Sequence, residues 1–229
     1  MYSQVVYSLR LLGVFTLRLV TLKRVDCLVM KVSIIIPYKT DRGYLQHAID
    51  SVGNQTYKNI QLIIQQGDCG VSENLNKGIG KATGDLITYL CEDDLLPPNA
   101  IQDTVDYFRG DFIHGNSINF WNNGRKEVQI PGLINPTLKD LVRKNHIHGG
   151  TVTYHASCFE NNLFDESLTT GEEYEFNMRL LSQGKELKYI NKLLYLYRRH
   201  EEQKSLGNTS HDYKAQRRIK IELIKQKYR

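Results

Sequence analysis

The chain has 229 residues, 41% of them hydrophobic and 24% charged, with a net charge of +5. That composition excludes an intrinsically disordered chain, and the length suits one globular domain with short appendages. The charge is unevenly spread. His211 to Arg229 holds seven basic and two acidic residues, the first 31 residues sum to +4, and residues 32–210 sum to −4. A mildly acidic middle speaks against a nucleic-acid-binding core, whereas basic ends beside apolar residues suit an anionic membrane surface. Cys27, Cys69, Cys91 and Cys158 contain no C-x-x-C pair. No disulfide framework or zinc site is expected, and a reducing, cytoplasmic setting is the plainer inference.

Val5–Leu22 is apolar but carries Arg10 and Arg18. Each costs about 2.5–3.5 kcal/mol at the centre of a membrane span, so a spanning helix is not expected. Two readings of residues 1–29 stay open: an interfacial amphipathic helix at the inner face of a membrane, or an inert extension.

Val32–Pro37 (VSIIIP) is a continuous β-branched run, the pattern of a buried parallel strand. Helical spacing follows over Tyr44–Val52. Ile60–Ile64 reads as a second strand, Ser72–Ala82 as a helix capped by Ser72, and Leu86–Leu90 as a third strand. Pro98 marks a helix start, with Asn99–Phe108 carrying it on, and Phe112–His114 is a short fourth strand. Alternating strands and helices imply a mostly parallel, Rossmann-like α/β sheet flanked by helices. Asn116–Gly132 is polar, with a turn signal at Asn122-Asn123-Gly124, and fits a hairpin or an irregular loop. Thr151–His155 is a further strand and Glu172–Ser182 a helix. Leu187–Ile190 and Leu193–Tyr197 are two short strands around Asn191-Lys192, and a basic helix from Tyr213 has Ile219, Leu223 and Ile224 as its apolar stripe.

Three clusters can carry chemistry. Cys91-Glu92-Asp93-Asp94 follows an apolar strand, at the strand end where open α/β sheets bind ligands. Consecutive acids repel one another unless a positive charge joins them, which points to Mg²⁺ or Mn²⁺ with a diphosphate; a solvated turn preceding a helix explains them equally well. Glu172-Glu173-Tyr174-Glu175 opens a helix, where a carboxylate can act as a general base or simply favour the helix start. Tyr197-Arg198-Arg199-His200 can hold phosphate or remain surface charge.

The order of these segments resembles the inverting family 2 glycosyltransferases. The resemblance rests on VSIIIPY, on Ala48–Val52 with Gln55–Ile60, on Leu75–Ile79 with Ala82–Asp85, on Asp93-Asp94 and Pro97, on Phe164–Leu168 with Glu172–Tyr174, and on Tyr197–His200. It runs from about Lys31 to Ser205. It implies a GT-A fold over residues 30–205, with a small acceptor-side β/α portion, an extension at 1–29 and a basic helix within 206–229. It also implies transfer of a sugar, with inversion, from a nucleoside diphosphate donor, a UDP-sugar by expectation. The acceptor would be a glycan, a lipid-linked molecule or a protein, as in polysaccharide or glycoconjugate synthesis. Under the resemblance Pro37, Tyr38 and Asp41 lie beside the nucleotide. Asp93 and Asp94 form the Mn²⁺ or Mg²⁺ and diphosphate site, with Asp94 the direct ligand and His200 a further candidate for the metal and for the phosphate end. Lys77 and Arg199 stand at the phosphate end, and Glu173 is the catalytic base. Gln66 takes the place of an aspartate that the family often has after the second strand, and its carbonyl can accept from a uracil N–H. Two other functions remain in play: a non-catalytic sugar-nucleotide- or carbohydrate-binding module, and a nucleic-acid-modifying transferase, which the acidic middle disfavours.

Overall fold

The computed structural model describes residues 30–201, 203 and 211–229, and the expectations for residues 1–29 and for Ser205 lie outside them. Seven strands form one sheet. They are β1 (Val32–Tyr38), β2 (Ile60–Gln66), β3 (Leu86–Tyr89), β4 (Phe112–Trp121), β5 (Lys126–Gln129), β6 (Thr153–His155) and β7 (Leu187–Arg199). The helices are α1 (Leu45–Gly53), α2 (Val71–Ile79), α3 (Ala100–Tyr107), α4 (Leu138–Arg143), α5 (Glu172–Ser182) and α6 (His211–Gln226). The spatial order is β2-β1-β3-β6-β4-β5, with β7 on the other edge of β4.

The parallel part, β2-β1-β3, comes from the segments whose continuous apolar runs predicted it. Val32, Ile34 and Ile36 point to the face covered by Ala48 and Val52 of α1 and by Ala100 and Ile101 of α3. Ile35 points to the opposite face, among Leu75 of α2 and Phe176, Met178 and Leu180 of α5. Alternation on a strand covered on both sides makes nearly every residue apolar, hence VSIIIP, with Ser33 the buried polar exception, satisfied by Gln61 and the Gly84 N–H. α2 lies close on β1: a β-carbon on Gly78 would stand 2.5 Å from Ile35 Cγ2. Beyond β3 the sheet is mixed. β6 runs antiparallel to both β3 and β4, β5 is antiparallel to β4, and β7 is parallel to it.

Several elements differ from the sequence reading for identifiable reasons. β4 is ten residues long and continues into a hairpin with β5 at the Asn122–Gly124 turn. The two strands expected around Asn191-Lys192 are one strand, β7. Its register against β4 shifts on either side of Asn116, beside Gly115. A β-carbon on Gly115 would stand 2.8 Å from Lys192 O and from Leu194 Cδ1, so glycine admits the irregularity there. Ser72 does not cap α2: Gly70 holds the cap position, and the Ser72 hydroxyl is buried without a partner among the described residues.

α6 forms as expected but buries a different stripe. Ile224 is buried and Ile221 and Tyr228 pack beside it, while Ile219 and Leu223 are exposed. Its anchor is the start of α5. Gly171 (φ 78°) leaves room for Ile221 Cδ1 and Ile224 Cδ1, and the Tyr228 hydroxyl donates to Glu175 Oε1 at 2.8 Å. Among the described residues no helix is long and apolar enough to cross a membrane.

Candidate active site

A cleft of about 650 Å³ opens at the carboxyl end of β3. One wall is the turn Cys91–Asp94, another the first turn of α5, and Arg217, Ile221 and Lys225 of α6 close a third side.

The acidic turn is held by β7. Leu95 and Leu196 exchange backbone hydrogen bonds of 3.0 and 2.9 Å, which fixes the chain after Asp94 against the strand. Asp94 is almost fully buried. The Tyr195 hydroxyl donates to its Oδ2 at 2.8 Å and the Arg198 N–H donates to its Oδ1 at 2.7 Å. Burial, reinforced by the Asp93 carboxylate, holds the Asp94 carboxyl well above the usual range, despite those two donors. Asp93 Oδ2 lies 3.2 Å from Arg42 Nη2 and 3.1 Å from His200 Nε2, and Arg42 also pairs with Glu92. Burial first, reinforced by the Asp93 carboxylate and opposed by Arg42, raises the Glu92 carboxyl. Arg198 Nε donates to the Asp93 carbonyl at 2.7 Å, and its guanidinium lies 4.7 Å from the ring centroids of both Tyr44 and Phe120.

Cys91 Sγ and carboxylate oxygens of Asp93 and Asp94 lie within 4.8 Å of one another, the one group of potential metal donors of this kind among the described residues. The Cys91 thiol is pushed well up by burial and by the two aspartates, so it stays protonated and gives little to a hard cation. The donors that fit are therefore the two carboxylates. Mg²⁺ and Mn²⁺ accept such a set when phosphate oxygens and water complete the shell. A cation would also offset the repulsion that raises Asp94. His200 stands outside that group and meets it only through Asp93, with its ring 5.1 Å from that of Tyr44.

Glu173 lines the same cleft. The three acids that open α5 divide by environment. Glu175 is buried and bound to Arg179 at 3.0 Å and to Tyr228, and Glu172 is also buried. Glu173 is half-buried, and its Oε1 accepts from the Tyr89 hydroxyl at 3.1 Å. Tyr89 ends β3, two residues before the acidic turn, so one strand ties the two carboxylate clusters together. A 3-10 turn, Gly149–Thr151, packs between them. A β-carbon on Gly149 would stand 2.7 Å from both Glu173 Oε1 and Tyr89 Oη, and one on Gly150 would stand 2.5 Å from Tyr195 Cζ. Tyr195 is fully buried and cannot swing away. Gly150→Ala is expected to cost roughly 1–3 kcal/mol by overpacking and, by displacing the Tyr195 hydroxyl from Asp94, to weaken nucleotide binding. Thermal unfolding with and without nucleotide checks both effects.

The remaining expected residues fall in three places. Pro37 and Tyr38 lie in register with Gln65 and Gln66 at the carboxyl ends of β1 and β2, on the same rim of the sheet as the acidic turn. Asp41 follows them and accepts from the N–H groups of Gly43 at 2.7 Å and Leu45 at 3.3 Å, tying the loop to the start of α1. Lys77 is exposed on α2 and pairs with Glu73 at 2.7 Å, apart from the cleft-lining residues. Arg199 turns away from the acidic turn into a second cavity. Arg198, its neighbour, is the arginine at Asp93 and Asp94, because successive strand residues face opposite ways. Arg42, Tyr89 and Tyr195 carry no signal in the sequence reading, and Arg198 enters it only as part of the Tyr197–His200 cluster, with Arg199 singled out instead. Strand alternation was a usable signal for Arg198, while nothing local marks Arg42.

The mixed sheet, with an acidic turn after its third strand and a carboxylate facing that turn from a later helix, defines the GT-A class of glycosyltransferase fold. Residues 64–164 match the family model described as glycosyl transferase family 2. An uncharacterized glycosyltransferase of Rickettsia bellii is 27% identical over 222 residues, covering 79% of this chain and 31% of its own length. The minor teichoic acid biosynthesis protein GgaB of Bacillus subtilis is 26% identical, covering 78% of this chain and 24% of its own. Among solved structures, Staphylococcus aureus TarS 1–349 in complex with UDP-GlcNAc superposes with a TM-score of 0.61 at 17% identity, covering 85% of this chain and 67% of its own. Fold and sequence together make the chain similar to the family 2 glycosyltransferases. It spans about a third of the length of the rickettsial relative.

Proposed function

We propose that the chain transfers a sugar from a nucleoside diphosphate donor to an acceptor hydroxyl with inversion. The observation that carries this reading is the placement of Glu173 and of Asp93-Asp94 on facing walls of one cleft, linked by Tyr89. Glu173 takes the proton of the acceptor hydroxyl while that oxygen bonds to the anomeric carbon and the bond from that carbon to the diphosphate breaks. One displacement inverts the centre and uses no protein nucleophile. The Tyr89 hydroxyl orients the Glu173 carboxylate, leaving Oε2 for the acceptor. A divalent cation held by Asp94 and Asp93 would neutralise charge on the departing diphosphate. Arg42 and His200, both on Asp93, are within reach of the same phosphates once Asp93 turns to the cation.

The nucleotide end is assigned to Pro37, Tyr38, Asp41 and Gln66, at the rim where β1 and β2 end. A uridine nucleotide is favoured by analogy with the UDP-GlcNAc complex of TarS, and a phosphate-containing polymer as acceptor by analogy with GgaB. The catalytic unit is taken to include α6, since Arg217, Ile221 and Lys225 line the cleft. A peripheral membrane contact through the basic ends belongs to the same reading. The test is thermal unfolding with UDP, GDP, CDP and dTDP, each with and without Mn²⁺. A nucleotide at 100 times its dissociation constant adds about 2.7 kcal/mol, and roughly 2–4 °C per kcal/mol follows at this size. A metal-dependent rise with UDP is expected; no rise with any nucleotide would leave the binding-module reading in its place.

A further inference from the structure

A second cavity, of about 350 Å³, adjoins the cleft. Both are lined by Lys144, Asn145, Ile147, His148 and Tyr197, so the two spaces share a wall. Three of its lining residues carry buried polar atoms that nothing among the described residues satisfies. Ser117 is 1% exposed, yet its Oγ has no hydrogen-bond partner, and neither His148 Nδ1 nor Arg199 Nε has one. Buried polar atoms ordinarily find partners, because each left unmade costs about 1–3 kcal/mol. Three in one cavity mark a place built for something else.

The charge around them has one sign. Lys144 and Arg199 line the cavity with His146 and His148, and no carboxylate is among its lining residues. Among the described residues Arg199 makes no ion pair there. Its guanidinium lies 5.3 Å from the Tyr197 ring centroid. Burial first, and then the Arg199 charge, push the His148 imidazole down to about 4, so at neutral pH it offers a hydrogen bond rather than a charge. A hydroxyl, an imidazole N–H, a guanidinium and a lysine at the mouth are the donor set of an anion site.

We propose that this cavity is a second anion site, separate from the donor diphosphate site, which holds a phosphate ester carried by the acceptor. The acceptor part rests on the transferase reading above; the anion site does not. A phosphate on Arg199, His148 and Ser117 leaves the rest of the acceptor to pass Tyr197 and the shared wall into the cleft, where a hydroxyl meets Glu173. Arg199 is thereby removed from the donor site, where sequence order alone had put it.

The test measures binding of inorganic phosphate, of glycerol 3-phosphate and of vesicles containing phosphatidic acid, on the wild-type chain and on Arg199→Gln and Lys144→Gln. Each is paired with the UDP and Mn²⁺ unfolding shift. The expected result is that glycerol 3-phosphate or the phosphatidic acid vesicles bind, and that Arg199→Gln weakens this at least tenfold with the UDP shift unchanged. Binding of the soluble ester points to a polyol phosphate acceptor, and binding of the vesicles alone points to a lipid-linked one. If a phosphate probe binds but UDP does not, the anion site stands and the transferase reading fails. The proposal is overturned if only inorganic phosphate binds, if no probe binds a folded wild-type sample, if neither substitution weakens binding, or if Arg199→Gln abolishes the UDP shift. A His148→Gln variant, which keeps a neutral donor in place, should bind within a few-fold of wild type; loss equal to that of Arg199→Gln in a folded protein would also overturn it.

Discussion

Glu173→Gln should bind nucleotide as the wild type does and transfer sugar roughly 10²–10⁴-fold more slowly, the usual worth of a positioned general base. The substitution preserves shape and the hydrogen bond from Tyr89, since the amide carbonyl still accepts at Oε1. It removes only the ability to take a proton. The opposite face of α5 supplies a control. Glu175 is buried against Arg179 and Tyr228, so Glu175→Gln leaves a half-buried arginine without its charged partner and should lower the unfolding temperature while sparing the chemical step. Single-turnover transfer with the nucleotide identified by thermal shift separates the two variants. Full transfer by Glu173→Gln would remove Glu173 from the base role.

Asp94→Ala should abolish the metal-dependent part of nucleotide binding and destabilise the fold. Two donors, the Tyr195 hydroxyl and the Arg198 N–H, lose their acceptor, at about 1–3 kcal/mol for each group left unpaired. Relief of the burial and of the Asp93 repulsion that act on the Asp94 carboxyl works the other way, so the net loss should fall below that sum. Asp94→Asn keeps one acceptor and should recover stability without recovering the metal effect. Cys91→Ala should keep the Mn²⁺-dependent shift, because a protonated thiol is not a ligand for a hard cation. Loss of the shift in Cys91→Ala at unchanged stability would instead place sulfur in the metal's coordination shell.

What could be read in advance follows the range of the forces involved. VSIIIP and LITYL announce buried strands because both faces of each are covered, so their pattern is set locally, and IQLII shows the same apolar run on the edge strand, where Ile64 stays exposed. The spacing of α5, Glu172–Ser182, is complete in the sequence for the same reason. The acidic turn was visible as a charge cluster at a strand end, and Glu173 as a carboxylate in a resembling segment. Arg42, Tyr89 and Tyr195 reach the site from elements 50 or more residues away from the groups they hold, which leaves no trace at short spacing. Arg199 was chosen over Arg198 because motif order carries no information on which way a strand residue faces. The bulge beside Gly115 was hidden for a related reason. Asn191-Lys192 looks like a turn by composition, and only pairing with β4 shows that the strand runs through it.

β7 has a bearing on more than architecture. Within five residues it supplies the Tyr195 and Arg198 groups that hold Asp94, and the Tyr197 and Arg199 groups that line the second cavity. Two ligands bound on one rigid ribbon do not bind independently unless each leaves the ribbon where it was. Any shift of β7 that tightens the grip on one must be felt by the other. By thermodynamic reciprocity, the factor by which a phosphate ester changes nucleotide affinity equals the factor by which nucleotide changes ester affinity. Were both proposed sites filled, the shared strand would couple them, and the sign of that coupling would follow from how each ligand displaces it.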